Sequence, residues 1–98
     1  KSINPIELQT GVDVVLQPGE VKKLVDSSVS RYELLIQNIS ETRTFCRIGD
    51  SSVSQNRGLI VVGSRNAPST ISLNTGGEIY AYNDGDSELT LSALEVIQ

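Results

Sequence analysis

The chain has 98 residues, enough for one domain that hides about two-thirds of the surface its unfolded form exposes. Its formal charge is -4, and its eight lysines and arginines are scattered, with Lys22-Lys23 the one adjacent pair, so the clustered cations that a nucleic-acid partner demands are missing. With no histidine and a single cysteine, an intrachain disulfide, a His/Cys zinc site and an imidazole base are all excluded.

No stretch has the length of a membrane span, and no signal peptide is recognised. The chain starts at Lys1 and contains no methionine, so the start of translation is expected upstream. Aromatic residues are few (Tyr32, Phe45, Tyr80 and Tyr82), so the core must be built from Val, Ile and Leu, a composition that favours strands.

Residues 1–10 read as an N-terminal arm. Asn4-Pro5 favours a turn and Pro5 bars a central strand, while Ile3, Ile6 and Leu8 supply apolar contacts that a free tail would not need. Two readings stand: an edge strand packed on its own domain, or an arm reaching a neighbouring subunit. Residues 11–98 form the single domain. Val12, Val14 and Leu16 alternate in a half-buried strand pattern. Gln17-Pro18-Gly19-Glu20 suits a type II turn, and a second strand starts at Val21, so residues 12–25 predict a hairpin.

After a polar loop at 26–30, the strongest strand covers 31–38, with Tyr32, Leu34 and Ile36 on one face and Glu33, Leu35 and Gln37 on the other. Residues 43–49 follow, with Thr44, Cys46 and Ile48 on one face, and Cys46 reads as a small buried core residue. A polar loop at 50–57 leads to the apolar run 58–63, which predicts a strand buried on both faces. Short strands at 70–73 and 78–83 come next, the latter with Tyr80 and Tyr82 on one face. Residues 87–97 close the chain, and a bulge near Ser92-Ala93 is expected where the apolar rhythm slips. About eight short strands with regular turns make an antiparallel β-sandwich or a jelly-roll-like barrel, preceded by the extended arm.

Residues 83–88 cluster potential oxygen ligands around Gly85. The Asp-Gly pair between two strands predicts a hairpin turn, with a cation held by Asp84 and Asp86 as the alternative. Carboxylate pairs such as Asp84 with Asp86 or Glu20 with Glu33 read as solvated faces rather than glycosidase acids, and the hydroxyl residues lack an evident base. The expectation is a non-enzymatic protein without catalytic, cofactor or metal residues. Tyr80 and Tyr82 make core if their face is inner and a small sugar-stacking platform if it is outer, and core or a subunit interface is the favoured reading.

The strand Arg31-Tyr32-Glu33-Leu34-Leu35-Ile36-Gln37-Asn38 resembles the R-x-x-L-x-I-x-N strand of small all-β virion proteins of tailed bacteriophages. Arg47-Ile48-Gly49, the apolar strand 58–63, Gly76-Gly77-Glu78-Ile79-Tyr80-Ala81 and a final strand of alternating Leu and Val follow in the same order, so the resemblance spans roughly residues 31–97. It implies a structural role at the virion, most of all on the head surface: a capsid decoration or cement protein that binds the major capsid protein or another virion protein. It also implies a homo-oligomer, often a trimer, with no nucleic-acid or membrane partner. Ile3, Pro5, Ile6, Leu8, Tyr80 and Tyr82 are the expected interface residues. The alternatives are a tail, neck or fibre component, and a small carbohydrate-binding module that takes glycan on the tyrosine pair.

Overall fold

The computed structural model describes residues 6–98. Nine strands follow one another: β1 (Glu7–Thr10), β2 (Val14–Leu16), β3 (Val21–Val25), β4 (Arg31–Asn38), β5 (Thr44–Gly49), β6 (Leu59–Gly63), β7 (Ser69–Leu73), β8 (Ile79–Asn83) and β9 (Leu89–Ile97). They form two antiparallel sheets, A with β1 and β2 together beside β9, then β4 and β7, and B in the order β3-β8-β5-β6. The pairing is nested: β5 with β6, β4 with β7, β3 with β8 and β2 with β9, alternating between the sheets. This is one long ribbon of paired strands rolled over itself, the strand order of a jelly roll, here as an open β-sandwich.

The alternation read from the sequence builds the core. Leu16, Leu34, Ile36, Leu89 and Leu91 come inward from sheet A and meet Cys46, Ile48, Val61 and Ala81 from sheet B. Each buried Leu or Ile contributes about 1.5–3 kcal/mol relative to exposure. Because the ribbon is double, the chain passes between the sheets in pairs. Residues 17–20 cross beside 84–88, held by Gly19 N to Asn83 O at 2.9 Å and Asn83 N to Glu20 O at 3.0 Å. Residues 26–30 cross beside 74–78, held by Ser28 N to Gly76 O at 2.7 Å, and 39–43 beside 64–68, held by Arg65 N to Ser40 O at 2.7 Å.

Two buried asparagines anchor the ends of β4 and β8, where the chain leaves a sheet and its backbone groups lose their ladder partners. Asn38 donates to Thr44 O (3.1 Å) and Val61 O (3.3 Å) and accepts from the backbone and hydroxyl of Ser40. Asn83 donates to Leu16 O (2.9 Å) and Ser87 O (2.8 Å) and accepts from Gly85 N.

Several expectations are corrected by this arrangement. Residues 17–20 do make the expected turn, with Gly19 at φ 80° and Glu20 N on Gln17 O. The strands it joins part company, however: β2 pairs with β9 and β3 with β8, so there is no hairpin. The same holds at 84–88, where Asp84-Gly85 lies in a crossing between β8 and β9, which sit in different sheets. The run 58–63 is an edge strand rather than one buried on both faces, with Leu59 58% and Ile60 56% exposed.

Tyr32 does not continue the inner face of Leu34 and Ile36. The register shifts between Arg31 and Glu33, which puts the buried Arg31 on the inner side and leaves Tyr32 exposed. The irregularity expected in β9 near Ser92-Ala93 lies opposite it, in the edge strand. From Thr10 to Val14 the edge advances four residues while β9, from Leu94 to Leu91, covers three. β1 and β2 are thus one edge strand interrupted by a bulge, with Gly11 N still bonded to Ala93 O at 3.0 Å.

Candidate interaction face

The outer face of sheet B brings together side chains from all four of its strands. Register places Val21, Tyr82, Arg47 and Ile60 in one row across β3, β8, β5 and β6. Lys23, Tyr80 and Gly49 make the row on one side, and Phe45 with Val62 the row on the other. Val21, Phe45 and Ile60 are 43%, 47% and 56% exposed, and both tyrosines and Val62 are half-buried. The alternation that sends Ile79, Ala81, Cys46, Ile48 and Val61 into the core sends these residues out.

The charges on this face are already engaged. Arg47 Nε bonds Asp84 Oδ2 at 3.2 Å and its Nη1 donates to Gly58 O at 3.1 Å. Lys23 Nζ lies 2.9 Å from both Asp26 and Glu78, and these two carboxylates hold its ammonium well above the usual lysine range. The middle of the face is therefore apolar and aromatic, and its cations are neutralised locally.

The opposite surface differs in chemistry. The outer face of sheet A carries a depression of about 330 Å³ lined by Thr10, Gln37, Thr70 and Ser92 with Leu35 and Leu94. It holds hydrogen-bonding groups but no aromatic ring and no charge. Elsewhere, Cys46 is fully buried and burial pushes its thiol up to about 12, far from a reactive thiolate. Asp50 accepts from the backbone and hydroxyl of Ser52, which lowers its pKa below the usual carboxylate value. Among the described residues, no three His, Cys, Asp or Glu side chains converge as metal ligands. Asp84 turns to Arg47 while Asp86 stands in solvent.

Of the interface residues expected from sequence, Tyr80 and Tyr82 lie together on this outer face, so the reading of them as core is corrected. Ile6 and Leu8 are 58% and 67% exposed, and Leu8 sits in β1, which pairs with β9 of its own chain. Ile3 and Pro5 lie outside the described residues. Sequence reasoning passed over Val21, Phe45 and Ile60. The signal was present for Phe45, which alternates with Thr44 and Cys46, but not for Val21 and Ile60, whose runs VKKLV and LIVVG read equally well with either face inward.

A scan against protein-family models finds no match, and a search of curated proteins finds none either. Among solved structures the chain is similar to the capsular polysaccharide assembling protein CapF from Staphylococcus aureus, at 11% identity and a TM-score of 0.48, over 94% of this chain and 31% of that one. A second CapF structure and one with the inhibitor 3-isopropenyl-tropolone give the same identity and TM-score, with 29% and 31% of those chains covered. The chain thus spans about a third of the length of these three chains.

Proposed function

We propose that this chain is a non-enzymatic structural protein of a bacteriophage virion, a decoration or cement protein of the capsid. It binds the major capsid protein through the outer face of sheet B. The observation that carries the binding role is the apolar and aromatic band across all four strands of that sheet. Exposed apolar residues scattered singly need no explanation, but a contiguous set marks a contact surface. Tyrosine, phenylalanine and arginine together are the residue types enriched at protein interfaces. The virion setting rests on the resemblance of residues 31–97 and on a fold that capsid domains share with many others.

The test has two arms. The chain is first quantified in purified particles relative to the shell protein: hundreds of copies fit a decoration role, a dozen or fewer a neck, tail or fibre role, and none overturns the virion reading. Purified chain is then added to particles stripped of it. Phe45→Asp and Tyr82→Ala, both at solvent-facing positions, are expected to weaken binding at least about tenfold while the fold persists. Unchanged binding would remove sheet B as the contact.

A second reading is glycan binding, favoured by the outward placement of Tyr80 and Tyr82 two residues apart. It is the weaker of the two, because sugar recognition needs placed polar groups beside an apolar platform. Here the platform is on sheet B, where Arg47 and Lys23 are already paired, and the cluster of hydroxyls and amide is on sheet A, where Gln37 donates to Thr70. It predicts loss of sugar binding in Tyr80→Ala or Tyr82→Ala on a glycan panel.

A further inference from the structure

The strand β6 is an edge of sheet B, covered at Val62 O by Ser69 Oγ but open before it, where the exposed Leu59 and Ile60 are apolar. Open edges are templates for further pairing and are ordinarily guarded by charge, proline or covering structure. The other edges of this molecule are guarded. In β3, Lys22 reaches across to Val15 O at 2.6 Å, and Lys23 is held by two carboxylates. In β7 the two exposed residues are Thr70 and Ser72, and Ser72 holds the Glu33 carboxylate. β1 is four residues long, carries Glu7, and ends at the bulge.

The direction of the free backbone groups on β6 follows from the ladder. Phe45 O accepts from Asp84 N, so it points away from β6, and Val62 O accepts from Ser69 Oγ, so it points away from β5. Phe45 and Val62 are therefore a non-hydrogen-bonded pair, and so are Arg47 and Ile60, two residues along. The N–H and C=O of Ile60 consequently both face outward beyond the edge, with no partner among the described residues.

We propose that β6 is a self-association edge, on which a second copy of this chain pairs its own β6 antiparallel about a twofold axis at Ile60. A single residue offering one donor and one acceptor outward is self-complementary: the two copies exchange Ile60 N–H to Ile60 C=O bonds in both directions. The same register sets the exposed Leu59 against Val61 of the second copy. Arg57 falls opposite Gly63 of the second copy, and the Arg65 two residues beyond it is already paired with Glu41 at 2.9 Å. The outer row Val21–Tyr82–Arg47–Ile60 then continues into its own image, and sheet B becomes an eight-stranded sheet. This association rests on the edge chemistry and not on the virion reading, and it is twofold rather than threefold.

The experiment is sedimentation of the purified chain from low concentration to about 100 µM, where a contact of micromolar affinity is nearly saturated. A dimer is expected, with Ile60→Lys weakening association at least about tenfold at unchanged far-UV circular dichroism. A monomer throughout, a trimer, or a dimer indifferent to Ile60→Lys overturns the proposal. The register is read separately in Ile60→Cys, where the two positions lie about 5.5 Å apart across the axis. A short thiol crosslinker should give a covalent dimer there and not in Phe45→Cys; equal crosslinking of both overturns the stated register. Particle binding plays no part in either readout, so failure here leaves the proposed function standing, and the reverse holds too.

Discussion

Arg31 is the residue on which one end of the sandwich converges. Its side chain is fully buried, donates to Thr75 O (3.0 Å), Asp26 O (3.0 Å) and Gly77 O, and ion-pairs with Glu95 at 3.0 Å. A planar guanidinium with five donors suits this task, since it ties two crossings to β9 at once. Arg31→Met removes the charge but leaves those carbonyls and Glu95 without their donor. The expected cost is about 3–5 kcal/mol of unfolding free energy, read from urea denaturation. Arg31→Lys should recover little of it, because an ammonium cannot span the same carbonyls. Cys46 gives a different signature. Its ordinary pKa of 9.0 is raised to about 12 by burial. Between those values the unfolded chain holds fewer protons than the folded one, so stability falls as pH rises, by up to about 1.4 kcal/mol per pH unit. Comparing wild type with Cys46→Ala by denaturation from pH 8 upward isolates that slope, and equal slopes in both would contradict it.

At the level of elements, the paired crossings make particular glycines necessary. A Cβ on Gly76 would run into the backbone oxygen of Ser28, on the segment crossing beside it, whereas one on Gly77 would meet only Thr75 Oγ1, at 3.4 Å. Gly76→Ala is expected to destabilise by about 1–3 kcal/mol and Gly77→Ala by much less, a contrast that thermal denaturation of the two variants checks. The same crossings explain which elements were legible in the sequence. Strand positions and most inward faces were, because apolar alternation around Leu34, Ile36, Cys46, Ile48, Leu89 and Leu91 records burial directly. The turn at 17–20 was legible too, since Pro18 and Gly19 encode local dihedral angles. Which sheet receives the next strand was not, because a proline-glycine turn serves a hairpin and a sheet crossing equally. Edge or centre was also hidden for β6, since an apolar run looks the same whether a neighbour covers it or not.

For the molecule as a whole, two surfaces carry the proposed contacts: the outer face of sheet B and the β6 edge that borders it. The tyrosine pair was legible as one face from its spacing alone. Its outward direction was not, because Ile79 and Ala81 alternate with Tyr80 and Tyr82 and either pair makes a plausible core. Only the opposing sheet decides, and it does so through volume, since small Ala81 lets the leucines of sheet A approach. If both surfaces act, a dimer carries two copies of the apolar face on one rigid sheet. Two contacts made together can raise overall affinity about 10²-fold or more over one.

The nested pairing also governs how the chain comes into being. β9 borders β1, β2 and β4, so sheet A is assembled around the last strand of the roll to leave the ribosome. Sheet B draws on β3, β5, β6 and β8 and needs nothing later than Asn83. Until β9 emerges, Leu34 and Ile36 have only β7 beside them. Loops between distant segments must close before their contacts repay the lost entropy, so such topologies fold slowly. Sheet A can therefore be completed only once β9 is available, whereas sheet B has all its strands before then.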